Sequence, residues 1–302
     1  MIKRILYIFA FILLVASLPS CKCNRSVVPG LDVPDTIVNK GVKTVSDNAM
    51  TNIVENISSP VEIAALIKTM GVSFSKNYLA PTDYTADYTT SFSQAFALGV
   101  FGADLGYLNM YGKTGSVIDY ITTIKNLAEG IKVGQFFDFA TLKRLATNNG
   151  NIDSLMYISV HSFNQMDRYL RGSKRGNLSA LIIAGVWVEG LYLATQVSKQ
   201  KADPKLQEKI GEQKIILADL IILLRNYSGD PMFKKYTEDF ENIKNKYNDI
   251  KITYEMGEPQ AVEENGMLTI KQTEKSVVHI TDDQMKNITE TIESVRNKLI
   301  KM

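Results

Sequence analysis

Along most of this chain, apolar residues recur at helical spacing, broken by short polar punctuation. Ser59-Pro60-Val61-Glu62 forms a capping box with proline at the first helical position, leading into Ile63–Met70 and stopping at Gly71. A polar loop, Ser75–Asp83, follows. The pattern then predicts helices from near Thr89 to Tyr111, from Ser116 to Glu129 and from Phe137 to Ala146, the last closed by Asn148-Asn149-Gly150. Asp153 can cap a helix to Leu170, and Asn177 one to Val197. Asp203-Pro204 opens a helix to Arg225, and Asp230-Pro231 one to Tyr247. Each Asp-Pro pair sets an N-cap carboxylate before a proline whose missing N–H costs nothing there. The short connections favour antiparallel neighbours.

The last fifty or so residues change period. Met267–Gln272 and Ser276–Ile280 alternate and are β-branched, which predicts a hairpin turning at Thr273-Glu274-Lys275, with Ile252–Tyr254 as a third strand. Thr281-Asp282-Asp283-Gln284 is a second capping box and opens a final helix to about Ile300. The expected fold class is therefore mainly all-α: an irregular multi-helix bundle of antiparallel helical hairpins with a small C-terminal β-hairpin plus helix. A helical solenoid is the alternative. The tetratricopeptide pattern does not fit Ala97–Ile131, because its small and aromatic positions miss their offsets.

The N-terminus reads differently. Lys3 and Arg4 precede an apolar run from Ile5 to Leu18, too short to span a hydrocarbon core. Leu18-Pro19-Ser20-Cys21 resembles a bacterial lipobox, with Pro19 departing from its commonest pattern. That resemblance implies cleavage before Cys21, a diacylglyceryl thioether on its sulfur, and a membrane held through that lipid; acyl chains at about 0.8 kcal/mol per buried CH₂ give stable anchoring. An ordinary secreted chain is the alternative. The expected organisation is signal peptide 1–20, lipid-anchored spacer 21–58, helical domain 59–250 and C-terminal appendage 251–302. Lys22 stands where enteric inner-membrane lipoproteins carry aspartate, and no acidic pair follows Cys21. Both features point to the outer membrane, facing the periplasm.

Composition narrows the function. Of 34 basic residues, Lys3 and Arg4 leave with the signal, so the mature chain carries 32 basic and 32 acidic groups. No basic excess is available for nucleic acid. Cys21 and Cys23 are the only cysteines, so neither a disulfide framework nor a thiolate metal site is expected. No G-x-S-x-G, P-loop or H-E-x-x-H occurs, and His161, one of two histidines with His279, has no acid or second histidine at helical spacing. No cofactor, metal or catalytic activity is expected.

Two stretches are too apolar for surface helices, Phe96–Tyr111 and Leu178–Thr195. Glycines within them (Gly99, Gly102 and Gly106; Gly185 and Gly190) cost about 1 kcal/mol each against alanine, which close helix approach would offset. Each stretch carries an acid with a tyrosine three residues on: Asp104 with Tyr107, extended by Tyr111, and Glu189 with Tyr192. Asp219 interrupts a third apolar run. An unpaired carboxylate does not stay ionised in an apolar core. Asp104, Tyr107, Tyr111, Glu189 and Tyr192 therefore either line a small-molecule pocket, form buried bonds that fix helix register, or reach solvent. Arg168, Arg171 and Arg225 are the cations at hand. Trp187 reads as a core anchor, and the Asp-Tyr pairs at 83–84 and 87–88 as a half-buried helix start or a partner contact.

The motifs Leu98-Gly99-Val100-Phe101-Gly102-Ala103-Asp104-Leu105-Gly106-Tyr107, Tyr120–Leu127 and Gly185-Val186-Trp187-Val188-Glu189-Gly190-Leu191-Tyr192 resemble a group of uncharacterised helical lipoproteins of Bacteroides-type bacteria. The resemblance covers about residues 60–200 and implies a fold and a compartment, with no activity. The function expected is that of a scaffold or accessory subunit of a cell-envelope assembly, with a protein partner there. A small-molecule-binding lipoprotein is the alternative.

Overall fold

In the computed structural model, the described residues are 66–147, 152–257, 260–264, 267–271 and 274–302. The signal segment, Cys21, the spacer, the Ser59–Glu62 capping box and the Asn148–Gly150 stop lie outside them. Residues 66–69 are helical and end at Gly71, whose φ of +66° suits a glycine. Two short 3₁₀ turns, Lys76–Tyr78 and Thr82–Asp87, lead to α1 (Ser91–Met110). Then come α2 (Thr114–Gly130), α3 (Phe139–Thr147), α4 (Ile152–Gly172), α5 (Gly176–Gln200), α6 (Pro204–Arg225), α7 (Pro231–Tyr247) and α8 (Asp282–Leu299). The architecture is mainly α-helical, with a small antiparallel β element between α7 and α8.

The caps account for several boundaries. Thr90 starts α1 by a reciprocal capping box with Ser93. Asp203 accepts from the Leu206 N–H at 3.0 Å, and Asp230 from the Met232 N–H at 2.8 Å. Thr281 and Gln284 cap α8 reciprocally. Asn177 does not cap α5: the helix begins one residue earlier, and Asn177 accepts from the N–H of its neighbour Leu178.

α5 is the axis of the molecule. It is apolar all round, as a helix buried on every side must be, and α1, α4, α6 and α8 all pack against it. Its tightest neighbour is α1. A Cβ on Gly99 would overlap the Ile182 carbonyl oxygen, and one on Gly185 the Phe96 carbonyl oxygen. The close approach inferred from the glycines therefore belongs to Gly99 and Gly185. Gly102 and Gly106 face outward with nothing within 4 Å of a would-be Cβ.

The strands exist, with a different pairing from the one expected. β1 (Lys251–Met256) pairs with β4 (Glu274–His279), Lys251 opposite His279, and β2 (Gln260–Glu264) pairs with β3 (Met267–Lys271), Gln260 opposite Lys271. The 267–272 and 276–280 segments thus do not pair with each other; each finds an upstream partner, one ladder nested inside the other. β4 meets the helices through Val278 against Gly211 and a hydrogen bond from Ser276 to Glu212. Side chains of β1 are mostly exposed. α8 behaves otherwise: Ile288, Ile292 and Leu299 are buried in the common core, and it packs on α5 and α7. The C-terminal helix is core, and only the strands stand off.

Candidate functional site

The acids singled out in α1 and α5 share one site, and an arginine from α8 completes it. Glu189 is wholly buried. Arg296 Nε donates to its Oε2 at 2.7 Å and Nη2 to its Oε1 at 2.6 Å, a bidentate pair in which Arg296 is only 3% exposed. Arg296 Nη2 also donates to the Tyr78 carbonyl at 3.2 Å, and the guanidinium lies 4.4 Å from the Tyr192 ring centroid. Burial opposes the arginine's charge, but the adjoining Glu189 carboxylate outweighs it and leaves the guanidinium pKa above its ordinary value.

Asp104, also wholly buried, accepts from the Ala80 N–H through Oδ2 at 2.9 Å. Desolvation first, and the Glu189 carboxylate second, hold its carboxyl well above the usual carboxylate range. Both causes favour its neutral form. Its Oδ1 is buried without a hydrogen-bond partner. Ala80 is held from its other side too, since the Tyr120 hydroxyl donates to its carbonyl at 2.7 Å. Next along, Tyr88 donates to the Ile300 carbonyl at 2.8 Å. Tyr88 is thus a buried anchor in the segment where the Asp-Tyr pairs sit.

The five nominated residues divide. Asp104, Glu189 and Tyr192 meet around Arg296, with burial pushing the Tyr192 phenol up to about 12. Tyr107 and Tyr111 belong to a separate aromatic cluster with Phe74, at ring separations of 5.5 and 5.7 Å, capped by Lys113 over Phe74. There Tyr107 accepts from the Ser75 N–H at 3.2 Å, burial pushes its phenol up to about 12, and the buried Tyr111 hydroxyl is unpaired. None of the cations named from the sequence reaches Asp104 or Glu189. Arg171 binds Asp167, and Arg225 binds Glu241. Arg296 went unnoticed because it sits 107 residues beyond Glu189. Its signal was present all the same: it falls on the α8 face of Met285, Ile288, Ile292 and Leu299, a lone cation in an apolar stripe.

Elsewhere, Trp187 is core, its Nε1–H donating to Gln213 at 2.9 Å. His161 is exposed, and its ring partner is Gln165. Among the described residues no cluster of three or more His, Cys, Asp or Glu side chains could hold a metal ion. A surface cleft of about 340 Å³ lies at the junction of α5, α6 and α8, lined by Ser198, Lys199, Gln207, Asp282, Met285 and Lys286, and the acids are not among its walls. The Glu189 and Arg296 side chains spend their hydrogen bonds on each other and on neighbouring protein groups. Searches against models of protein families, curated proteins and solved structures find no match to this chain.

Proposed function

We propose that this chain is an outer-membrane lipoprotein, anchored through Cys21 and facing the periplasm, that serves as a non-enzymatic scaffold or accessory subunit of a cell-envelope assembly. The observation that carries this reading is how the buried acids are used. Arg296 bonds Glu189 and the Tyr78 carbonyl, and Asp104 bonds the Ala80 N–H, joining α1, α5, α8 and the segment before α1. Such an arrangement supports a body that presents a fixed surface. The anchor rests on the Lys3-Arg4, Ile5–Leu18 and Leu18–Cys21 pattern. Native mass spectrometry of the lipidated protein, extracted gently from its own membrane, tests the proposal. A stoichiometric protein partner is the expected result; a solitary chain carrying a small-molecule mass would overturn it.

A further inference from the structure

Three helices of this protein end in the same way, and two of them use a surprising residue. At the end of α1 the Gly112 N–H bonds the Asn109 carbonyl and the Lys113 N–H bonds the Leu108 carbonyl, with Gly112 at φ +61°. That is a Schellman motif with glycine in its left-handed position, where glycine carries no Cβ penalty. α2 and α4 end in the identical bond pattern. Lys132 bonds Glu129 and Val133 bonds Ala128; Lys174 bonds Arg171 and Arg175 bonds Leu170. The left-handed residues there are lysines, at φ +58° and +59°, the only non-glycine residues with positive φ among those described. Both are exposed.

The two lysine turns are neighbours, because Arg175 Nη2 donates to the Ile131 carbonyl at 2.6 Å. Aromatic rings accompany them: half-buried Phe136 packs at 5.0 Å on Tyr169, which is 41% exposed. Exposed Arg168 adds a third cation. Acids on the same segments offset only part of the charge. Asp167 is buried under Arg171 and Ser179, Glu129 lies 3.8 Å from Lys125, and exposed Asp138, which accepts from the Thr141 N–H, keeps its negative charge. A favourable helix dipole does not demand this placement, since a lysine one turn earlier would meet the same field without a left-handed backbone.

We propose that this end of the bundle, built around Lys132, Lys174, Arg168, Phe136 and Tyr169, is a docking face for an anionic lipid bilayer. Clustered cations with interfacial aromatics are the side chains that a negatively charged headgroup layer holds. The face works without the lipid on Cys21, so it stands or falls separately from the anchor.

The test uses the full chain carrying Cys21→Ser, sedimented with phosphatidylglycerol-containing vesicles and, in parallel, with phosphatidylcholine vesicles. Binding to the anionic vesicles alone, weakened by salt, is expected. Two variants separate charge from backbone. Lys132→Gly/Lys174→Gly relieves the left-handed cost, so its melting temperature should rise while its vesicle affinity falls roughly twentyfold or more, at about fivefold per lost cation near the surface. Lys132→Gln/Lys174→Gln should lose the same affinity without the rise. Wild-type affinity in both double variants, equal binding to phosphatidylcholine, or no vesicle binding by the parent chain would each overturn the proposal.

Discussion

Arg296 and Glu189 lie 107 residues apart in the chain and share two hydrogen bonds, of 2.6 and 2.7 Å, with side chains 4% and 0% exposed. A buried pair of this kind is weak evidence of net stabilisation, yet removing one partner strands the other's charge in the core. Arg296→Met should therefore lower unfolding stability by about 3–5 kcal/mol. Urea unfolding followed by circular dichroism checks this, and a loss under about 1 kcal/mol would mean that the pair does not hold in solution.

Asp104 should make stability depend on pH in an unusual direction. Its folded-state pKa is raised, by burial first and then by Glu189. The unfolded chain releases this proton in the ordinary carboxyl range, while the folded chain keeps it. The stabilisation is thus full below that range, and falls as pH rises toward the folded-state pKa. Asn in this position keeps an acceptor for the Ala80 N–H without a titrating group. Asp104→Asn should gain on the wild type as pH rises from about 4 to 8. Parallel denaturation curves across that window measure it, and a constant difference would contradict the assignment.

The glycines of α1 and α5 should separate sharply on substitution. Gly99→Ala and Gly185→Ala would drive a Cβ into the facing helix backbone, where nothing can yield cheaply. Large losses of stability, or failure to fold, are expected. Gly102→Ala meets open space in a helix interior and should stabilise by about 0.5–1 kcal/mol. Thermal melts of the three variants suffice, and similar effects at all three positions would refute the α1–α5 contact.

Helix starts were legible because their chemistry is local: Asp203, Asp230 and Thr281 each sit within three residues of the N–H groups they satisfy. The glycine argument points to a close helix approach but cannot choose among Gly99, Gly102 and Gly106, since sequence spacing cannot say which side of α1 faces α5. Strand pairing failed for a related reason. The pairing of Glu264 with Met267 leaves Asn265-Gly266 between them, the short hairpin signal that should have outweighed Thr273–Lys275. Asp104 and Glu189 stand out as acids in apolar helices; their partner does not, because Arg296 lies on α8, 107 residues beyond Glu189.

The anchor makes its own prediction. In the native cell the wild-type mature N-terminal peptide should begin at Cys21 with an acyl mass, and Cys21→Ser should abolish that mass. An unmodified Cys21 would remove the lipid from the proposal while leaving the helical body as described.

The central claim is that Glu189 and Arg296 work on each other to hold the C-terminal helix in the core. A double-mutant cycle with Glu189→Gln, Arg296→Met and the pair together, read by urea unfolding at pH 7, tests it most directly. A coupling energy on the order of 2–3 kcal/mol, with the double variant far less damaged than the sum of the singles, is the predicted result. Additivity within about 0.5 kcal/mol would contradict the account.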